Sequence, residues 1–179
     1  MIVHIDGGAR GNPGTAGFGV HVQDEQGQEV AALYGYLGVQ TNNVAEYAGL
    51  LAALQWARQQ GISRMTIRSD SQLLVRQILG EYRVKNPVLQ RLHAAARVLM
   101  REVGHVKVEH VRREQNREAD RLANLAMDGG ETKEPSREIL RRSLRIQAVY
   151  RQGCFHPCES IEIQENTRVQ LQVKIAEDD

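Results

Sequence analysis

Apolar and polar positions alternate with a period of two in the first forty residues and then recur at helical spacing. Residues 2–5, Ile2-Val3-His4-Ile5, read as a strand that runs into Asp6 and then into a loop dense in glycine. Residues 16–22 read as a second strand, Asp24-Glu25-Gln26-Gly27 as a turn, and residues 29–37 as a third strand, which together predict an antiparallel meander. Thr41-Asn42-Asn43 is a helix-start signal, followed at helical spacing by Tyr47, Leu50, Leu51 and Leu54 and stopped by Gly61. Residues 65–68 predict a short strand that ends, like the first, at a carboxylate, in Ser69-Asp70-Ser71. A helix through Leu73, Leu74 and Ile78 follows and ends near Gly80. Asn86-Pro87 caps and opens a helix carrying Val88, Leu89, Leu92, Ala96 and Leu99. Residues 106–111 read as a fifth strand, and from Asn116 a helix turns Ala119, Leu122, Ala123 and Ala126 inward.

Three strands, a helix, a strand, two helices, a strand and a helix predict an α/β fold. Its sheet has five strands, three antiparallel and then parallel ones, and is flanked by helices. Gly129-Gly130-Glu131-Thr132-Lys133-Glu134-Pro135-Ser136 shifts composition as linkers do. The expected organisation is a main domain over 1–128, a linker over 129–143 and a small β-domain over 144–179. In the last part, residues 138–144 suggest a short basic helix, and residues 144–150, 161–163 and 167–173 suggest strands. A three-stranded unit this short is marginal alone, so docking on the main domain or pairing as a homodimer or with a protein partner is expected. Cys154-Phe155-His156-Pro157-Cys158 falls short of the four ligands of a structural zinc site, and core packing is the preferred reading of both cysteines.

Composition narrows the class of function. No apolar run approaches the roughly 20 residues of a membrane span, and no signal-peptide pattern opens the chain, so a cytoplasmic protein with no membrane partner is expected. Two cysteines make no disulfide framework, which suits a reducing compartment. Net charge is +1, with 15 basic against 13 acidic residues up to Asp128 and 8 against 9 after it. A polyanionic partner must therefore be held by local patches and metal ions.

Four acidic residues fall where predicted elements end or begin. Asp6 ends the first strand, Asp70 ends the fourth, Glu46 lies in the first turn of the first long helix and Asp120 in the first turns of the last. Each also has a plain structural role open to it. Asp6 could close an Asx-turn, Glu46 stands at capping-box spacing after Asn43, Asp70 could cap its helix, and Asp120 could pair with Arg117 on a solvated face. Jointly they suggest more. Hard cations such as Mg²⁺ are commonly held by a few carboxylates plus substrate phosphate oxygens, and clustered carboxylates without a cation repel.

Four runs carry a family likeness: Asp6-Gly7-Gly8-Ala9-Arg10-Gly11-Asn12-Pro13-Gly14, Thr41-Asn42-Asn43-Val44-Ala45-Glu46, Ser69-Asp70-Ser71-Gln72, and Arg113-Glu114-Gln115-Asn116-Arg117-Glu118-Ala119-Asp120-Arg121-Leu122-Ala123. In order and placement they resemble the signature blocks of type 1 ribonuclease H, in its compact bacterial and archaeal branch, over about residues 1–128. The resemblance implies a ribonuclease-H-like fold and hydrolysis of the RNA strand of an RNA–DNA hybrid by two Mg²⁺ ions, with Mn²⁺ as a substitute. It implies products with a 5′-phosphate and a 3′-hydroxyl. It implies that Asp6, Glu46, Asp70 and Asp120 are the catalytic, metal-binding set. Asp6 and Asp70 would hold the ion that activates water, and Asp6 would bridge to a second ion completed by Asp120. Glu46 would ligate the first ion and touch a ribose 2′-hydroxyl. Gly11, Asn12, Asn42, Asn43 and Gln72 match positions that contact substrate, and Thr41 with Asn12 matches a pocket for a phosphate of the DNA strand. The glycines after Asp6 read as room for a nucleic-acid backbone, since no lysine follows them in the phosphate-loop pattern.

The chain departs from the family in two places. Many members carry a loop histidine before the last helix; here the loop is Arg112-Arg113-Glu114-Gln115, and its arginines are cations suited to steadying a phosphate. His110 and His105 precede that loop and read as core or surface imidazoles. Members with a basic helical insertion place it after the Asp70 helix, where this chain has only Gly80-Glu81-Tyr82-Arg83-Val84-Lys85-Asn86, so weak and strongly salt-dependent hybrid binding is expected. The region from Ala148 to Val169 resembles, at low specificity, a small prokaryotic antitoxin-like β-domain. A rival reading keeps the fold and makes the chain a non-catalytic nucleic-acid-binding or regulatory protein, with the C-terminal domain as its interaction module. Four matching carboxylates weigh against it. A third keeps the enzyme and changes the substrate to another RNA-containing duplex.

Overall fold

A computed structural model describes residues 1–129, 148–151 and 154–157. The chain divides into two units, Met1–Leu140 and Arg141–Asp179. In the first, β1 (Ile2–Gly11), β2 (Gly14–Gln23) and β3 (Glu29–Gln40) form the meander, followed by α1 (Asn42–Gln59), β4 (Arg64–Ser69), α2 (Gln72–Ile78), α3 (Pro87–Val103), β5 (His105–His110) and α4 (Arg117–Gly129). The sheet order is β3-β2-β1-β4-β5, with β1–β2 and β2–β3 antiparallel and β1–β4 and β4–β5 parallel. This is the five-stranded mixed sheet that the element order predicts, and it agrees with the ribonuclease-H-like fold that the resemblance implies. Among the described residues no helix is long and apolar enough to cross a membrane.

Each junction follows from local chemistry. The β2–β3 turn closes on Asp24, whose carboxylate accepts from the backbone N–H of Gln26 at 2.9 Å and Gln28 at 2.8 Å. Ser71 caps α2, and Asn86 caps α3 by accepting from Val88 and Leu89 with Pro87 in the first turn. One face of the sheet, with Val3, Ile5, Val20, Val22 and Ile67, forms a single core with Tyr47, Leu50 and Leu54 of α1 and Leu89 and Leu99 of α3. On the other face α4 lays Ala119, Ala123 and Ala126 against Gly17 and Gly19 of β2. The inward set predicted for α4 is buried as expected, whereas Val88, grouped with the α3 core positions, is 52% exposed.

β1 differs from its expected form. It continues for five residues past Asp6, paired with β2 down to Gly11 opposite Gly14, while its pairing with β4 stops at Ile5 opposite Ser69. Asp6 therefore stands inside a strand, at the point where that strand loses its parallel neighbour. The glycines that follow also need a different explanation. A Cβ on Gly7 would stand inside contact distance of the Glu46 backbone nitrogen and the Ala45 carbonyl, and one on Gly8 would meet the Met127 side chain at 3.0 Å. The space at Gly7 is filled by α1 and that at Gly8 by α4, so the room is for helix packing and not for a nucleic acid.

In the second unit β6 (Ala148–Arg151) pairs antiparallel with β7 (Cys154–Pro157). Residues 148–150 were expected in a strand, and 154–157 were not. The expected basic helix, the strands over 161–163 and 167–173 and most of the antitoxin-like pattern lie outside the described residues.

The closeness of α1 to β1 is testable. Gly7→Ala forces backbone from backbone, and overpacking of this kind costs about 1–3 kcal/mol. Denaturant unfolding should show a loss in that range, with Gly27→Ala, where a Cβ meets nothing within 4 Å but φ is +79°, losing less. Equal losses would show that α1 does not constrain Gly7.

Candidate active site

The parallel pairing of β1 and β4 ends in a crevice, the position at which open α/β sheets commonly bind ligands. Asp6 follows the last paired residue of β1 and Asp70 the last residue of β4. α1 crosses above them and contributes Glu46. Ligand oxygens of Asp6, Glu46 and Asp70 all lie within 4.8 Å of one another. Asp6 is 9% exposed and Glu46 5%.

The plain structural roles open to these residues are taken by others. Thr41 is the N-cap of α1, its Oγ1 accepting from Val44 N–H at 3.4 Å, so no capping box forms and Glu46 lies in the second turn of the helix. Ser71 caps α2 in place of Asp70. Asp120 pairs with Arg113 at 2.8 Å, not with Arg117, and its Oδ2 accepts from Asn124 Nδ2 at 3.1 Å. Asp120 stands outside the tight trio, near enough for its charge to act on Asp6.

Burial, then the charges of Asp70 and Asp120, pushes the Asp6 carboxyl up to about 7. Burial, then the charges of Asp6 and Asp70, holds Glu46 well above the ordinary carboxylate range. Glu46 Oε2 is buried with no hydrogen-bond partner among the described residues. A carboxylate oxygen in that position is costly unless a proton or a cation meets it. The set has the all-oxygen chemistry that suits a hard divalent ion.

Asn116 stands in the last of the four family-like runs, and the geometry gives it a role. It immediately precedes α4, where an asparagine reads as a cap. Its Nδ2 instead donates to the Ile5 carbonyl at 2.9 Å and to Asp70 Oδ1 at 2.9 Å. It thereby ties the carboxylate after β4 to the backbone of β1, and it is 1% exposed. Sequence offers no cue that separates this use of an asparagine from capping.

The remaining expected site residues divide. Asn12 Oδ1 accepts from Asn42 N–H at 3.2 Å, joining the β1–β2 turn to the start of α1, so Gly11, Asn12, Thr41 and Asn42 form one rim. Asn43 is part-buried in the first turn of α1, and Gln72 is the exposed first residue of α2. His110 is a surface imidazole whose Nε2 lies 3.2 Å from the Asp70 carbonyl oxygen; His105 is also exposed.

Residues 4–126 match the family model described as Reverse transcriptase-like. A bifunctional protein of Mycobacterium tuberculosis is 42% identical over 129 residues, 72% of this chain and 35% of that protein. This chain thus spans about a third of the length of its mycobacterial relatives. The crystal structure of RNase H1 from Halobacterium salinarum superposes with a TM-score of 0.69 at 38% identity, covering 72% of this chain and 97% of that one. LC11-RNase H1 in complex with an RNA/DNA hybrid superposes at 0.68 with 41% identity, over 72% and 96% of the two chains.

Two outcomes follow from the electrostatics. Asp6 keeps its proton in the fold to about pH 7 and loses it near 3.8 when unfolded, so the folded state binds more protons in between. Metal-free protein should lose stability as pH rises from about 4 to 7, and Mg²⁺ at pH 7.5 should raise Tm. A flat metal-free profile over that range with no Mg²⁺ effect would contradict a frustrated cluster. Asn116→Ala frees Asp70 and should weaken divalent-ion binding, read by calorimetry, roughly 10- to 100-fold. An unchanged affinity would remove the positioning role.

Proposed function

The chain belongs to the type 1 ribonuclease H family, and we propose that it hydrolyses the RNA strand of RNA–DNA hybrids. The observation that carries this reading is the trio Asp6, Glu46 and Asp70 in the β1–β4 crevice, with an unpartnered buried oxygen on Glu46. Two divalent ions, Mg²⁺ or in its place Mn²⁺, would supply when bound the Lewis acidity that makes a water nucleophilic and offsets charge on a leaving oxygen.

The chain's own residues do the rest. Asp6, Glu46 and Asp70 would hold one ion, and Asp6 together with Asp120 would serve the second. Asn116 fixes the Asp70 carboxylate by its 2.9 Å hydrogen bond, so the ligand does not have to be ordered when substrate arrives. Water attacks the scissile phosphorus, giving up a proton to solvent, as the bond to the 3′-oxygen breaks and that oxygen takes up a proton from solvent. The phosphate stays on the 5′ end of one product, and the other keeps a 3′-hydroxyl. As a metal ligand Asp120 would give up its hydrogen bond with Arg113, and that guanidinium would then be available to a phosphate.

Substrate choice rests on uncharged groups at the rim. The 2′-hydroxyl separates RNA from DNA and both donates and accepts, so the amides of Asn12, Asn42, Asn43 and Gln72 suit it and the adjoining minor groove. Glu46 is the carboxylate assigned to a ribose 2′-hydroxyl, and Thr41 with Asn12 to a phosphate of the DNA strand, with Gly11 contributing its backbone. The 3.2 Å bond from Asn42 N–H to Asn12 supports treating these residues as one binding element. Residues 144–179 are read as a small β-domain for docking or dimerisation, supported by the β6–β7 hairpin. The enzyme is taken to act in the cytoplasm, a reducing compartment that suits a chain with only two cysteines.

The test uses labelled RNA–DNA hybrid, double-stranded RNA and double-stranded DNA with Mg²⁺ or Mn²⁺. The full chain should cleave the RNA strand of the hybrid in a metal-dependent way and leave the other two intact. Asp70→Asn should lower kcat by at least about a hundredfold, within the range by which removing one such electrostatic group slows a reaction. No cleavage of the hybrid, or full activity in the variant, would sink the proposal.

A further inference from the structure

His4 of β1 and His21 of β2 stand directly opposite one another in the antiparallel register. Both project from the face of the sheet that carries Gly8, Gly17 and Gly19, the face on which α4 packs. Their rings stack with 6.3 Å between centroids and 30° between planes, and each residue is 9% exposed. His21 Nε2 lies 3.2 Å from Oε2 of Glu29, the first residue of β3, whose side chain is open to solvent. His4 Nδ1 is buried with no hydrogen-bond partner among the described residues. Two nearby cations act on this group, and each is already engaged: Arg68 with Glu109 at 3.3 Å, and Arg121 with Glu118 at 2.6 Å. Three adjacent strands thus bring two imidazoles and a carboxylate together.

Packing alone does not account for this pair. A phenyl ring at either position would fill similar space without leaving a buried nitrogen unmet, and an unmet polar atom is costly. The spacing suits a metal ion. Two donors each about 2.0–2.1 Å from one tetrahedral Zn²⁺ stand about 3.3 Å apart, and His21 Nε2 and Glu29 Oε2 are at 3.2 Å. Two imidazoles on one such ion hold their centroids about 5–6.4 Å apart. This pair, at 6.3 Å, is at the wide end of that range, so a turn of the His4 ring closes the set. Imidazole nitrogens with one carboxylate are ligands of zinc, whereas magnesium takes oxygen.

We propose that His4, His21 and Glu29 form a second metal site, apart from the carboxylate crevice, which takes Zn²⁺ with a water as its fourth ligand. The exposed Glu29 side chain gives the ion and its water a way in from solvent. Bound there, the ion clamps β1, β2 and β3 across the meander. His4 stands two residues before Asp6 on the same face of β1, about 7 Å along the strand, so occupancy stiffens the strand that carries Asp6. The inference does not rest on the hybrid reading, since neither the donors nor their spacing involves a nucleic acid.

The test titrates Zn²⁺ into the full chain with Mg²⁺ in large excess, which occupies the carboxylate crevice. Every chain carries Cys154→Ser and Cys158→Ser, so that the two thiols do not compete for the ion. Histidine ring signals are followed by NMR, assigned from His4→Phe and His21→Phe, with calorimetry for affinity and thermal unfolding for stability. The His4 and His21 signals should shift together and saturate at one equivalent, and Tm should rise. His21→Phe should weaken binding more than about a hundredfold, and Glu29→Gln, which keeps a poorer oxygen donor, about tenfold. Glu29 is at the surface, so its variant keeps the fold and isolates the ligand role. Asp70→Asn should leave Zn²⁺ affinity unchanged. Zn²⁺ that leaves the His4 and His21 signals in place, or binding lost in Asp70→Asn and kept in Glu29→Gln, would overturn the proposal.

Discussion

Mutual repulsion of carboxylates in a buried crevice is the constraint on which the rest of the structure turns. At 4.8 Å, with an effective dielectric of about 20, two ionised groups repel by about 3.5 kcal/mol. Three such pairs would take a large share of the 5–15 kcal/mol that typically holds a domain folded. Without a cation this repulsion adds to burial, the larger cause, in holding the Asp6 and Glu46 carboxyls above the ordinary range. The fold tolerates the frustration because the backbones carrying these groups are fixed by interactions elsewhere. β1 lies between β2 and β4, β4 lies between β1 and β5, and α1 is anchored by the main core.

How α1 is anchored decides where Glu46 stands. Gly7 lets the Ala45–Glu46 backbone approach β1 closer than any side chain would allow. One residue on, Tyr47 points into the core, and its hydroxyl donates to Gln77 Oε1 at 2.9 Å. Burial pushes that hydroxyl up to about 12, so it stays a donor at any pH the protein meets. The Gln77 carbonyl in turn bonds His93 Nε2 at 3.2 Å. α1, α2 and α3 are thus tied together through Gln77, by its buried side chain to Tyr47 and by its backbone carbonyl to the part-buried His93. Packing and electrostatics are linked: the apolar contacts and this polar chain supply the rigidity that holds like charges together.

Much of this was legible in the sequence because it rests on local pattern. The five strands, four helices and their order follow from periodicity and capping residues, and the carboxylates stand out because acids are costly at buried element ends. Other features were not legible, each for a non-local reason. Asp6 looks like a strand end because glycines follow, yet β2 keeps pairing with that stretch; a strand's length is set by its neighbour. Gly7 and Gly8 look like ligand space because nothing in a linear pattern shows α1 arriving at Gly7 and α4 arriving at Gly8 from far along the chain. Asn116 reads as a cap, and only the approach of Ile5 and Asp70, 111 and 46 residues distant, reveals its other use. Val88 has the right spacing for the α3 core but lies in the first turn, at the corner where the helix has no neighbour on that side.

The placement of the polar groups around the site separates two tasks that a nucleic-acid enzyme must perform. Ribose selection calls for short groups that both donate and accept, and a strong field there would favour any phosphate equally. The rim at Gly11, Asn12, Thr41 and Asn42 has no charged side chain, and it is made rigid by the Asn12–Asn42 bond. Affinity calls for cations, and those beside the carboxylates would be drawn into ion pairs, as Arg113 already is with Asp120. Cations that stand beyond the roughly 8–10 Å over which salt leaves the field of the acidic cluster effective are drawn less strongly into such pairs. α2 spans about that distance. Arg83 and Lys85, in no ion pair among the described residues, follow its far end, and the acidic chemistry sits at its near end.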